Sequence, residues 1–228
     1  MMENVKAILI DIDNTLLDFH KGAKICVGKA FNECGLPFKD EYFNVFTREN
    51  DLLWQKIERG ELTREGLHKV RFHIIFDAIG IKGDGDKAEI EFRKALFNVA
   101  ETVDGANELL EYLSKKYLLY CASNAIYNQQ INRLKLAKMH DYFKGFFISE
   151  KIGVQKPTKE FFDYCFNNMN GITKEQTIMI GDSLTADIIG AKNCGIKSIW
   201  YNHDKKENNS DIIPDYEVTS LLDIKNII

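Results

Sequence analysis

The stretch Val5-Lys6-Ala7-Ile8-Leu9-Ile10-Asp11-Ile12-Asp13-Asn14-Thr15-Leu16 decides the fold. Its first half is a short apolar run that reads as a buried strand, and its second half opens on two acids. Three later clusters share that setting. Ser123-Asn124 follows Tyr117-Leu118-Leu119-Tyr120-Cys121-Ala122. Gly181-Asp182-Ser183 follows Thr177-Ile178-Met179-Ile180, with Asp187 close behind, and Lys156-Pro157 comes shortly after Phe143-Lys144-Gly145-Phe146-Phe147-Ile148. Open parallel sheets bind ligands at the carboxyl ends of their strands. Polar residues delivered there by separate strands define one candidate site.

Between the runs, apolar residues take helical spacing. Ala106, Leu109, Leu110 and Leu113 precede the second strand, Ile131 and Leu134 follow it, and Phe161, Phe162, Cys165 and Phe166 precede the strand at 177. Ile188, Ile189 and Ala191 lead to Gly195, a helix C-terminus, and Ser198-Ile199-Trp200-Tyr201 reads as a further strand. Strands alternating with helices predict an α/β fold, a parallel sheet with helices on both faces.

The segment from Leu17 to Val99 breaks this rhythm. It holds no convincing strand pattern, and Phe43, Phe46, Leu53, Trp54 and Ile57, then Leu67, Val70, Ile74 and Ile75, recur at helical intervals around the break at Gly60-Glu61-Leu62-Thr63. The sequence therefore predicts a helical insert at 17–99 in a core built from 1–16 and 100–228. Gly83-Asp84-Gly85-Asp86 superficially resembles a dinucleotide fingerprint. It follows no strand and carries acids where a pyrophosphate would sit, so it reads as the turn from insert to core.

The chain has 228 residues, is 45% hydrophobic and carries a net charge of −4. That size and composition suit one large domain, or a core with a smaller insert. The charge argues against a nucleic acid polymer as partner but not against a small anion in a local pocket. No apolar run is long enough for a membrane span, and no signal peptide is evident. Five cysteines, mostly in apolar contexts, read as buried thiols of a cytoplasmic protein, and no zinc motif is present. A monomer or weak homodimer is the expected assembly.

Asp11 and Asp13 stand two apart at a strand end, where they share a side. Two acids there, with Asp182 and Asp187 from another strand end, make an oxygen-only donor set that suits Mg²⁺. Phosphate oxygens also need donors away from the metal, and Ser123 offers a hydroxyl, Asn124 a backbone amide and Lys156 a point charge. One acid can attack phosphorus as a nucleophile while the other moves the proton. Spacing alone leaves open which does which.

In their order, Asp11-Ile12-Asp13-Asn14-Thr15-Leu16, Ser123-Asn124, Lys156-Pro157 and Gly181-Asp182-Ser183-x-x-x-Asp187 resemble the four motifs of the haloacid dehalogenase superfamily. The resemblance covers essentially the whole chain. It implies a Rossmann-like core and, with an insert after the first motif, a C1-type helical cap. It also implies Asp11 as nucleophile and metal ligand, Asp13 as general acid/base lending its carbonyl to Mg²⁺, Ser123 and Lys156 as the phosphoryl grip, and Asp182 as the completing metal ligand. Asp187, Asn14 and Ser183 are supporting residues, with direct metal contact by Asp187 an open alternative. Two positions depart from the common pattern: Asn14, where many relatives have Gly, Asp or Glu, and Ala125, where Gly commonly follows the Ser/Thr-Asn pair.

A narrower resemblance, carried by Thr15-Leu16-Leu17-Asp18-Phe19, Leu53-Trp54 with Gly60-Glu61-Leu62-Thr63, and Tyr142-Phe143 through Ile148 to Pro157, is to the noncanonical pyrimidine nucleotidases. The expected activity is Mg²⁺-dependent hydrolysis of a small phosphorylated metabolite, a nucleoside 5′-monophosphate, through an aspartyl phosphate. The rivals are a phosphatase of a sugar phosphate or acylneuraminate 9-phosphate, a phosphomutase, and a non-catalytic phosphate-binding regulator, which would have no need of a second acid. Asp18 and Phe19 read as a hinge that could close the pocket or serve only as a linker. Trp54 could stack on a base, but its place on an apolar stripe favours packing. Arg48, His68 and Arg71 read as solvated helix faces.

Overall fold

The computed structural model describes residues 4–228. The chain forms two compact units, one running up to Asp18 and resuming at Glu101 to the end, the other Phe19–Ala100.

The second unit is helical: α1 (Phe19–Glu33), α2 (Asp40–Glu58), α3 (Arg64–Ile79) and α4 (Gly85–Phe97). Its ends are written in the sequence. Thr63 accepts from the Gly66 amide at the start of α3, Gly80 ends α3 with a left-handed φ of 68°, and Asp84 accepts from the Lys87 amide to open α4. Gly83-Asp84-Gly85 therefore joins two helices inside this unit and is not the turn back to the sheet. The core is aromatic, with Phe31 edge-on to Phe76 at 5.4 Å and Phe46 against Phe92 at 5.3 Å.

Arg71 corrects its sequence reading, because it is buried. Its guanidinium donates to both oxygens of Glu89 at 3.0 and 2.7 Å and to the Asn50 amide oxygen at 3.0 Å, and it lies 4.5 Å from the Phe92 ring centroid. An apolar helical spacing tells which face is inward, but an arginine on that face is revealed only by its partners on α2 and α4.

The first unit is a six-stranded sheet of β1 (Ala7–Ile10), β2 (Leu118–Ser123), β3 (Phe143–Ile148), β4 (Thr177–Gly181), β5 (Lys197–Tyr201) and β6 (Tyr216–Val218). The order is β3-β2-β1-β4-β5-β6 and every neighbouring pair is parallel. Helices α5 (Ala106–Ser114), α6 (Tyr127–Leu136), α7 (Ser149–Ile152), α8 (Lys159–Asn167) and α9 (Ile189–Cys194) connect the strands. This is the Rossmann-like α/β architecture expected, with β6 added at the edge. All four residues of β1 are buried, as befits the middle of a parallel sheet.

The strand order reverses between β1 and β4, and the crevice at such a switch point is where open α/β sheets hold ligands. Ile10 stands opposite Cys121 of β2 and Ile180 of β4, so all three strands end at nearly the same level. The chain leaves and re-enters this unit through neighbouring segments. Leu17 bridges Thr102, the Asp18 amide donates to Glu101 and the Val103 amide to Leu16.

Candidate active site

Asp11 extends β1 by one step, its amide donating to the Ile180 carbonyl at 2.9 Å. Its carboxylate meets Lys156, whose side chain is only 2% exposed. The Lys156 ammonium donates to Asp11 Oδ1 at 2.6 Å, Asp187 Oδ1 at 2.6 Å and the Ala122 carbonyl at 2.7 Å. An ammonium has three protons, and all three are engaged. Asn124 fixes the lysine from the other side. Its amide nitrogen donates to the Lys156 carbonyl at 2.8 Å and its amide oxygen accepts from the Lys156 amide at 2.9 Å. The side chain of Asn124 is thus spent on backbone, leaving its main-chain N–H as the group it can offer a phosphate. The Lys156-Pro157 peptide is cis. Ala125 has no left-handed backbone, so glycine is not required where the pattern commonly has it.

From β4, Gly181 allows a close approach. A Cβ there would overlap the Asp187 carboxyl group, so only glycine lets Asp187 tuck against the strand. Asp187 sits in a π-helical turn, Leu184–Ile188, that runs into α9, and such turns are frequent at functional sites. Its second oxygen accepts from the Ser183 amide at 3.1 Å, while Ser183 Oγ accepts from the Ala186 amide at 3.1 Å. Asp182 is held by two residues the sequence did not single out. Thr15 Oγ1 lies 3.4 Å from its Oδ1, and Trp200 Nε1 donates to its carbonyl at 2.9 Å.

Asp11, Asp182 and Asp187 can bring one carboxylate oxygen each to within 4.8 Å of one another. Fully ionised, three carboxylates against one ammonium would leave two uncompensated negative charges. Burial raises the Asp11 carboxyl above the ordinary range, Lys156 opposes the shift, and Asp187 and Asp13 add to it. Burial, with Asp11 and Asp187, raises Asp182 well above its ordinary value. For Lys156 burial works against the charge, and the two carboxylates more than restore it, leaving its pKa above the usual lysine value. An all-oxygen donor set with surplus negative charge of two fits a hard divalent cation such as Mg²⁺.

Asp13 faces α6. Arg133 Nη1 donates to its Oδ1 at 2.6 Å and Gln130 Nε2 to its Oδ2 at 2.7 Å. Gln130 also reaches Ser123 Oγ at 3.0 Å, and its oxygen accepts from Arg133 Nη1 at 2.9 Å. Sequence reasoning missed both residues. Their i, i+3 spacing places them on one helix face, but nothing local says that face meets the β1 loop. Asn14 turns that loop, with φ 57° and its amide donating to the Leu17 carbonyl at 2.7 Å. Asparagine tolerates this left-handed conformation, which explains its use there.

The structure thus gathers Asp11, Asp13, Asn14, Ser123, Asn124, Lys156, Asp182, Ser183 and Asp187 at the strand ends. Asp18 is in the paired connecting segment. Phe19 and Trp54 belong to the helical unit, where Phe19 packs on the Phe31–Phe92 cluster and Trp54 on Leu53, Ile57 and Leu67. Of the cations read as solvated, Arg48 is exposed and paired with Glu49 at 2.7 Å. His68 is partly buried instead, and burial with Arg93, Arg71 and Arg64 lowers its pKa to about 4.

Acids at the switch point of a 3-2-1-4-5-6 sheet, bridged by a buried lysine, define a class of hydrolase. The chain belongs to the haloacid dehalogenase-like hydrolases, whose pattern it matches over residues 5–195. It is 33% identical over 227 residues to the HAD-hydrolase YfnB of Bacillus subtilis, covering 100% of this chain and 97% of YfnB. It is 36% identical over 220 residues to the pyrimidine 5′-nucleotidase PynA of Streptococcus pneumoniae, covering 96% and 93% of the two chains. To the pyrimidine 5′-nucleotidase YjjG of Escherichia coli it is 27% identical over 221 residues, covering 97% and 96%. A crystal structure of YfnB bound to magnesium matches with a TM-score of 0.94 over 99% of each chain, at 33% identity. Among the described residues no helix is long and apolar enough to cross a membrane.

Proposed function

We propose that this hydrolase is a Mg²⁺-dependent phosphomonoesterase of nucleoside 5′-monophosphates. The observation that carries the reaction is the buried Asp11 carboxylate, fixed through one oxygen by Lys156 and clustered with Asp182. Asp11 attacks phosphorus while the bond to the leaving oxygen breaks, and Asp13 gives that oxygen its proton. Asp13 then takes a proton from water, which attacks the aspartyl phosphate and releases inorganic phosphate, restoring Asp11. The Ser123 hydroxyl, the Asn124 backbone amide and the Lys156 charge stabilise the phosphoryl oxygens through the transfer.

Asp11, Asp182 and the Asp13 carbonyl would hold the metal. Both oxygens of Asp187 already accept protein hydrogen bonds, which supports a role behind Lys156 rather than direct coordination. Bound Mg²⁺ supplies positive charge that neutralises an approaching phosphate and orients it for attack.

The nucleotide assignment is supported by the two relatives named pyrimidine 5′-nucleotidases. In this reading the helical unit Phe19–Ala100 selects the leaving group as a cap. The free thiols suit work in a reducing cytoplasm, and the expected assembly stays a monomer or weak homodimer.

A phosphate-release screen over nucleotides and sugar phosphates with Mg²⁺ tests the proposal, and 5′-nucleotides are expected to rank first. Sugar phosphates ranking equal or higher would remove the nucleotide assignment and leave the phosphatase. No release from any ester, para-nitrophenyl phosphate included, would remove the reaction itself.

A further inference from the structure

We infer that Gln130 and Arg133 of α6 are positioning residues that aim the Ser123 hydroxyl at the phosphoryl group and hold the Asp13 carboxylate in one plane. The inference rests on the phosphomonoesterase reading, because it assigns a role within that reaction.

Donor chemistry fixes the orientation of the Gln130 amide. A guanidinium only donates, so the end of the Gln130 amide that lies 2.9 Å from Arg133 Nη1 must be its oxygen. The amide nitrogen then faces Asp13 Oδ2 at 2.7 Å and Ser123 Oγ at 3.0 Å. The flipped amide would set an oxygen against a carboxylate oxygen at that distance, two acceptors in repulsion. Both hydrogens of the amide are thus committed, one to Asp13 and one to Ser123.

Ser123 Oγ is therefore an acceptor on the side of α6. A hydroxyl has one proton, and with an amide donor on that side it is left to point elsewhere. It becomes the donor that transferring phosphoryl oxygens require. Asp13 is held at both ends, Oδ1 by Arg133 at 2.6 Å and Oδ2 by Gln130. Gln130 is 0% exposed, Arg133 1% and Ser123 2%, so water does not compete for the Gln130–Ser123 and Gln130–Arg133 bonds, while the Asp13 carboxylate they hold keeps 29% of its side chain exposed. A direction set at Arg133 passes through Gln130 to the two groups, Asp13 in the loop after β1 and Ser123 at the end of β2, that handle the leaving group and the phosphate.

The test is a kinetic cycle of Gln130→Met, Ser123→Ala and the double variant, with Mg²⁺ and a 5′-nucleotide or para-nitrophenyl phosphate. Gln130→Met keeps side-chain volume but removes both donors. Its kcat is expected to fall roughly tenfold to a hundredfold, the scale seen when outer-shell partners are lost. KM should change by less than about threefold, because the interaction is felt in the transition state. In the Ser123→Ala background the same substitution should cost clearly less, since one of its two targets is gone.

Gln130→Glu gives a second arm. It retains size and an acceptor for Arg133 but turns a carboxylate oxygen toward Asp13, and should lower kcat at least as far as Gln130→Met. A fully additive cycle, or wild-type kcat in Gln130→Glu, would overturn the inference. Native phosphate release measured alongside tests the underlying reading. An inactive native enzyme overturns that reading and this role with it, whereas an active one with an additive cycle overturns the role alone.

Discussion

Each unit of the molecule buries an ionic cluster, and the two clusters are built on opposite principles. In the helical unit Arg71 faces one carboxylate, Glu89, in a bidentate pair completed by Asn50 and walled by Phe46, Phe72 and Phe92. One positive charge meets one negative charge, and the group needs nothing more. In the sheet unit Lys156 faces Asp11 and Asp187, with Asp182 beside them. The surplus of negative charge there is a cost that folding alone would remove. Burial of ions thus does not by itself point to a functional site, whereas burial of an unbalanced set is what a site awaiting a cation would show.

The largest expected effect comes from breaking the unbalanced cluster. Asp11→Asn should cut phosphate release by roughly 10⁴-fold or more, the scale of losing a nucleophile. The same variant should melt no lower than the native protein, because one surplus charge is removed while an acceptor for Lys156 stays. Activity near wild type would refute the nucleophile assignment, and a collapsed Tm would refute the contrast.

The balanced cluster should respond the other way. Glu89→Leu strands the Arg71 guanidinium in an aromatic core and should cost about 3–5 kcal/mol of stability, read by urea unfolding. Its kcat, measured well below the melting temperature, should stay at the native value. Adding Arg71→Met should return most of the lost stability, since a buried pair replaced by apolar groups is often neutral. A double variant as unstable as the single one would mean that the pair itself, and not the stranded charge, sets the cost.

The smallest effect is a pH dependence. Burial raises Asp11 from an ordinary 3.8 to about 7. The folded state then holds a proton that the unfolded chain has released, so stability from this site is full below the ordinary value and is lost as pH rises through about 7. In the proposed reading Mg²⁺ would take the proton's place. The gain in Tm on adding Mg²⁺ should therefore be greater by a few degrees near pH 8 than near pH 5. Equal gains at both would mean that proton and metal do not compete there.

The candidate cluster at the strand ends was legible in the sequence because its residues sit beside strong local signals. The runs ending at Ile10, Ala122 and Ile180 are apolar and short, and the polar clusters follow them directly. Strand β6 was not legible. It has three residues, one of them buried, and pairs on one side only, so it leaves no pattern. Arg71 was misread for a related reason, since its partners lie 18 residues ahead and 21 behind on other helices. Gln130 and Arg133 lie 117 and 120 residues from Asp13. Spacing along α6 shows that they share a face, but what meets that face is decided by the sheet order. Spacing alone left Asp187 between support and direct metal contact, because its two partners, Lys156 and the Ser183 amide, are set by the fold around it.

The adjoining segments at Leu17 and Thr102 have a consequence for how such a chain can change. About eighty residues leave and return between two positions that are hydrogen-bonded to each other. The ends of the excursion are pinned by the sheet unit, and the four helices between them carry their own core, so the sheet does not set the length of the insert. The junction works as a socket, into which selection or an engineer can fit helical modules of different size while the cluster around Asp11 stays in register.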